Sequence, residues 1–240
     1  MMTTVGVVVF FIPGMKHLER CLKSVEWADD MVVVKIDEAV APNRKRTDWV
    51  LHLWGQELVE DELREQLLAL RENPLSESRL SYKIAVRSYL LGRWVDGSLW
   101  GPSPSLRLVR EIRSWPPAWW NASEWESEKE SASLSGKIRD DSTAELAFGI
   151  NQVNRVASLW AEVSNSHGQV PSLGTTNFSS LRLFLRLLAK PGLFHKGFAG
   201  LTLSVLTAYA ALLGGAKSWE KANRFSGRMN ARETSEGSMP

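Results

Sequence analysis

The run Val5 to Ile12, VGVVVFFI, sets the first limit on how this chain folds. Apart from Gly6 it is β-branched or aromatic, with no polar side on which a strand could meet water. A half-exposed strand alternates apolar with polar residues, whereas a parallel strand covered on both faces reads as an unbroken apolar run. MVVVKI (Met31–Ile36) and DWVLHL (Asp48–Leu53) repeat the feature. Between the first two runs, KHLERCLKSVEWA places Leu18, Cys21, Leu22 and Val25 at helical spacing, which makes one apolar stripe. After the third, ELVEDELREQLLALRE reads as an amphipathic helix with acids in its first turn, where the helix dipole favours them. Short strand and helix units in this order predict an α/β sheet.

Beyond residue 80 the pattern changes. YKIAVRSYLLGRW and SLRLVRE read as strands joined by a long loop that carries Trp94, Trp100, Pro102 and Pro104. Residues 121–136 are polar and predict a mobile surface loop. Asn121-Ala122-Ser123 matches a glycosylation sequon, which a cytosolic chain does not use. STAELAFGINQVNRVASLWAEV reads as a moderately amphipathic helix. From Ser180, Arg182, Arg186 and Lys190 interleave with Leu and Phe, as in a helix lying in a membrane interface. Phe198 to Ala216 then gives 19 residues without a formal charge, between Lys196 and Lys217. That is the lower edge of a bilayer-crossing length, and a buried or half-submerged helix fits it as well. The polar residues from Asn223 onward predict a disordered tail.

Composition narrows the classes. A chain of 240 residues with 44% hydrophobic and 23% charged residues can bury a real core. A net charge of +2 gives no concentrated basic footprint, so a nucleic-acid surface is not expected. The single cysteine, Cys21, leaves no internal disulfide and fits a reducing compartment. Val5–Ile12 lacks a basic lead and a cleavage-like site, so it reads as a strand rather than a signal peptide. Eleven tryptophans suit sugar stacking or membrane-interface anchoring, although core packing accounts for most tryptophans.

Several ordered strings resemble family 2 glycosyltransferases of the bacterial lipopolysaccharide-core β-1,4-glucosyltransferase type. They are HLERCLKSVEWADDMVVV, DWVL…ELREQLLAL, YKIAVRSYLLGRWV with the following W, P and LRLVR, and FHKGFAGLTLSVLTAYAALLGGAKSWE. The resemblance implies an α/β fold of the GT-A, Rossmann-like kind, with a nucleotide-sugar at the carboxyl ends of the strands. It also implies a lipid-linked or lipopolysaccharide acceptor at the cytosolic membrane face, and a divalent cation (Mg or Mn) that bridges the diphosphate. The implied organisation is a transferase-like domain over 1–140, a helical membrane-associated region over 141–222, and a disordered tail over 223–240.

The sequence departs from that pattern where the chemistry would sit. The family's Asp-rich turn after the third strand is LWGQE here, so Glu57 is the one carboxylate left for metal, or else an ordinary first-turn acid. Only 13 residues, Lys35 to Thr47, link the second and third apolar runs, where the family fits a further helix and strand. Within them Asp37 and Glu38 stand near the expected base or ribose contact, and Arg44 belongs to a basic group that could meet phosphate. The family's His-Glu pair becomes Ser123-Glu124, which leaves Glu124 as the candidate general base. Asp140-Asp141 reads either as a displaced carboxylate pair or as a cap of the following helix. Arg87, Arg93, Trp94, Trp100 and Arg107 keep the acceptor-side pattern, with Gly92 as the turn residue. His52, His167 and His195 read as structural. The two expectations are thus a glycosyltransferase-like protein with impaired catalysis, or a non-catalytic membrane-associated binding or scaffold protein.

Overall fold

The computed structural model of the chain describes residues 3–11, 13–35, 47–72, 81–98, 103–110, 131–141, 145–166, 168, 170–189 and 195–236. Its strands are β1 (Val5–Phe11), β2 (Asp30–Lys35), β3 (Trp49–Trp54), β4 (Glu57–Val59), β5 (Ser81–Leu90), β6 (Arg93–Asp96), β7 (Ser105–Val109) and β8 (Ala132–Asp140). Its helices are α1 (Leu18–Ser24), α2 (Asp61–Glu72), α3 (Leu146–Ser166), α4 (Leu173–Leu188) and α5 (Phe198–Glu236). Among the described residues eight strands join one mixed sheet in the order β2-β1-β3-β7-β5-β8-β4, with β6 also paired to β5. The protein is α/β, as the three apolar runs require.

β1 lies between β2 and β3, parallel to both, with Val7 opposite Met31 on one side and Leu51 on the other. Side-chain alternation then divides β1 and β3 between two cores. Val5, Val7, Val9, Trp49, Leu51 and Leu53 pack under α1 and α2 through Cys21, Val25, Leu63, Leu67 and Leu70. Val8, Phe10, Val50 and Trp54 pack under α3 and α5 through Val153, Trp160, Ala199, Leu203, Leu206 and Ala210. Two buried faces explain why β1 and β3 carry no polar side. β2, in contrast, stands at the edge of the sheet and leaves Met31 and Val33 exposed, so the reading of MVVVKI as a strand covered on both faces is corrected.

The structure also corrects five local readings. Glu57–Val59 is strand rather than helix, paired antiparallel with β8 from Glu57↔Asp140 to Val59↔Ile138, and α2 starts only at Asp61. The string YKIAVRSYLLGRW is a hairpin, β5 and β6, turned by Leu91 (φ 50) and Gly92 (φ 77), the left-handed pair a two-residue turn demands. Residues 132–136, read as part of a mobile loop, are the start of β8, and their polar appearance reflects one exposed side of an alternating strand. The helix read from Ser180 begins at Leu173, where the Ser172 hydroxyl accepts the Thr175 N–H at 3.1 Å. Asp141 is no helix cap, since α3 begins at Leu146.

Helix α5 continues to Glu236, through the stretch read as a disordered tail, with no proline to stop it. Its segment Phe198–Arg224 is long and apolar enough to cross a membrane, yet 61% of its apolar window lies inside the protein.

Candidate functional site

β2, β1, β3, β5 and β8 run in the same direction, so their carboxyl ends share one edge of the sheet. The chain leaves β1 for β2 on one side and then crosses to β3 on the other. This makes the β1–β3 boundary the switch point where open α/β sheets bind ligands. Here that point is filled. The Gly55 N–H donates to the Phe10 carbonyl at 2.7 Å. A Cβ on Gly55 would lie 3.1 Å from Leu18 Cδ1 and 3.3 Å from Met15 Sδ, so the turn after β3 is pressed under α1. Trp54 is fully buried, and its carbonyl accepts from Cys21 Sγ at 3.5 Å. Burial and the nearby Glu57 charge push the Cys21 thiol far above its ordinary range. The amide of Gln56 is wholly buried, with no hydrogen-bond partner among the described residues.

Glu57, the remaining carboxylate of this turn, has no solvent exposure. Its Oε1 accepts from Arg107 Nη2 at 2.9 Å, and its Oε2 accepts from Arg107 Nη1 at 3.0 Å and from the Trp54 N–H at 2.8 Å. Arg107 is equally buried and adds a bond from Nε to Ser105 Oγ at 3.0 Å. Burial raises the Glu57 carboxyl above its usual value, against the opposing pull of Arg107 and of the Trp54 N–H. A hard cation needs carboxylate oxygens that face it. Both oxygens of Glu57 already face a guanidinium, so this turn does not fit the divalent cation that the resemblance implies. Arg107, read as an acceptor-side residue, is the partner that occupies them.

Open space lies further along the same edge, in two neighbouring depressions that share Arg20 and Arg139. One, of about 320 Å³, is lined by Lys16, His17, Tyr89, Trp94, Asp141 and Glu145 among others. The other, of about 610 Å³, is lined by Lys23, Glu60, Asp61, Glu62 and Arg87 among others. Trp94 joins them. The Arg87 and Arg139 guanidiniums lie 4.7 Å and 5.2 Å from its ring centre, and Tyr89 packs tilted at 5.1 Å. β-Register explains the grouping, because Arg87 pairs with Arg139 across β5–β8 and Tyr89 with Trp94 across β5–β6.

Carboxylates hold these cations in place. Asp141 takes Arg139 in a fork, Nε at 2.7 Å and Nη2 at 2.8 Å, and meets Arg20 Nη1 at 3.5 Å. The bond to Asp141 raises Arg139 further above its already high pKa. Glu60 takes Arg87 Nε at 2.5 Å. A guanidinium has five donors. Arg20, whose side chain is 54% exposed, therefore keeps donors aimed at solvent. The arrangement suits planar, bidentate capture of phosphate or carboxylate.

The structure thus brings Glu57 to Arg107, and Arg87 to Trp94, whereas Arg93 is exposed at the β5–β6 turn. Asp37, Glu38, Arg44, Trp100 and Glu124 lie outside the described residues, as does His167. His52 is buried and stacked on Phe10 at 6.0 Å, and His195 is exposed. Lys16, His17, Arg20, Lys23, Tyr89 and Arg139 escaped the sequence reading, because they come from three separated stretches with no shared motif. Only the register between β5 and β8 could have flagged Arg139. Among the described residues, no group of three His, Cys, Asp or Glu is placed to hold a metal. No protein-family model matches the sequence, and no curated protein matches it.

Proposed function

We propose that the chain is a glycosyltransferase-like protein that binds a nucleotide-diphospho-sugar along the carboxyl edge of its sheet and serves a lipid-linked or lipopolysaccharide acceptor. The observation that carries the reading is the pair of depressions at that edge, with Arg87 and Arg139 stacked on Trp94 and Arg20 beside them on Asp141. Guanidinium groups supply the charge that a phosphate-bearing ligand requires, and Tyr89 and Trp94 supply apolar surface beside it. In such a transfer an acceptor hydroxyl gives its proton to a carboxylate, its oxygen attacks the anomeric carbon, and the nucleoside diphosphate leaves with the bonding electrons. Glu124 is the carboxylate that the sequence offers for the proton.

A second reading, binding without catalysis, has its own support. Glu57 is held by Arg107, and the switch point is packed with side chains. Calorimetry with uridine diphosphate, with and without EDTA, separates the possibilities. Binding insensitive to EDTA is expected, weakened about tenfold or more by Arg139→Gln or Arg20→Gln. Strictly metal-dependent binding would sink the arginine-based site. Failure to bind any nucleoside diphosphate would leave the sheet as a scaffold. Sugar transfer in a coupled assay, lost in Glu124→Gln, would decide for the enzyme over the binding protein.

A further inference from the structure

Helices α4 and α5 each turn one side into the protein and leave an apolar stripe outside. On α5 the inner side is Ala199, Leu203, Leu206 and Ala210, while Phe198, Leu201, Val205, Tyr209 and Leu212 are exposed. On α4 the inner side carries Thr176, Ser180 and Leu187, and Phe178, Leu181 and Leu185 are exposed. Phe178 and Phe198 keep 70% and 74% of their surface in solvent. Stripes of this kind on a folded protein mark a binding face. The two helices cross tightly, since a Cβ on Gly215 would lie 2.4 Å from Thr176 Cγ2. Small residues at the crossing and large apolar ones outside are the arrangement of helices that meet lipid.

Charge identifies the occupant. From residue 163 to residue 219 the chain has no Asp or Glu, but it carries Arg182, Arg186, Lys190 and Lys196, and also Lys217, whose ammonium is turned to Asn154 and Ser158 of α3. Arg182 and Arg186 are exposed on α4 beside Phe178, Leu181 and Leu185. A stripe of aromatic and aliphatic residues with exposed Arg182 and Arg186 beside it complements an anionic membrane surface. A second copy of the same stripe would set like charges against each other. The buried side of α5 is part of the sheet's core, so the helix gives lipid one face rather than its full circumference.

We infer that the outward faces of α4 and α5 dock this protein onto the surface of a bilayer rich in anionic headgroups, without crossing it. The inference is independent of the transferase reading, because a protein with no activity would dock in the same way. The test is flotation of the full chain with phosphatidylcholine vesicles, pure or mixed with phosphatidylglycerol. Recovery with the anionic vesicles is expected to exceed recovery with the pure ones and to fall as salt is added. Arg182→Gln and Arg186→Gln are each expected to lower the partition coefficient about fivefold. Phe178→Glu with Leu181→Glu is expected to abolish recovery, with circular dichroism confirming the fold. No recovery with anionic vesicles, or equal recovery of the Glu variant, overturns the inference. So does a discrete dimer in solution that the Glu variant dissociates, since the stripes would then be a self-interface.

Discussion

Glu57 and Arg107 stand 50 residues apart in sequence, and the fold closes them into one buried, two-bonded pair. Each was legible as a charged residue in a candidate position, but neither position revealed the other. The reason is physical. An acid just ahead of a helical repeat looks like a first-turn residue, and only the β4–β8 and β3–β7 pairings show that it points inward. Removing one partner strands a charge in the core, so Glu57→Met and Arg107→Met are each expected to cost about 3–5 kcal/mol in urea unfolding. The double variant leaves no unpaired charge, and it should cost less than either single change. Strictly additive losses would show that the two side chains are not coupled in the folded protein.

At the scale of elements, the unbroken runs in β1 and β3 announced strands with two covered faces, and the spacing in α1 and α2 announced the helices above one of them. β4 and β8 were missed because they are short or half-polar, and a strand of that kind is defined by its partner more than by its own residues. Gly136 shows what the partner demands. A Cβ there would stand 2.4 Å from Leu63 Cα and 2.5 Å from Leu63 N, so β8 passes α2 at backbone contact. Gly136→Ala is expected to destabilise the fold by about 1–3 kcal/mol, the usual cost of overpacking, read from the urea midpoint. An unchanged midpoint would mean that β8 and α2 can part freely. The same β8 carries Arg139 to Arg87, so its placement also builds the candidate site.

For the whole molecule, the tertiary structure ties the C-terminal helices to the N-terminal strands. Ala199, Leu203, Leu206 and Ala210 of α5 share a core with Val8, Phe10 and Trp54. Deleting residues 198–236 is therefore expected to abolish cooperative unfolding rather than release a soluble sheet domain. A truncated chain that kept a sharp thermal transition and native near-ultraviolet circular dichroism would refute this. Sequence alone determined the α/β class, the doubly covered parallel strands and the apolar character of the last long helix, because each is written in local periodicity. Only the tertiary structure decided that Glu57 faces Arg107, that Arg87 and Arg139 meet over Trp94 with Arg20 joined to them through Asp141, and which side of α5 is turned outward. Those facts depend on strand register and on helix rotation about a shared core, and neither is encoded within any single stretch of the chain.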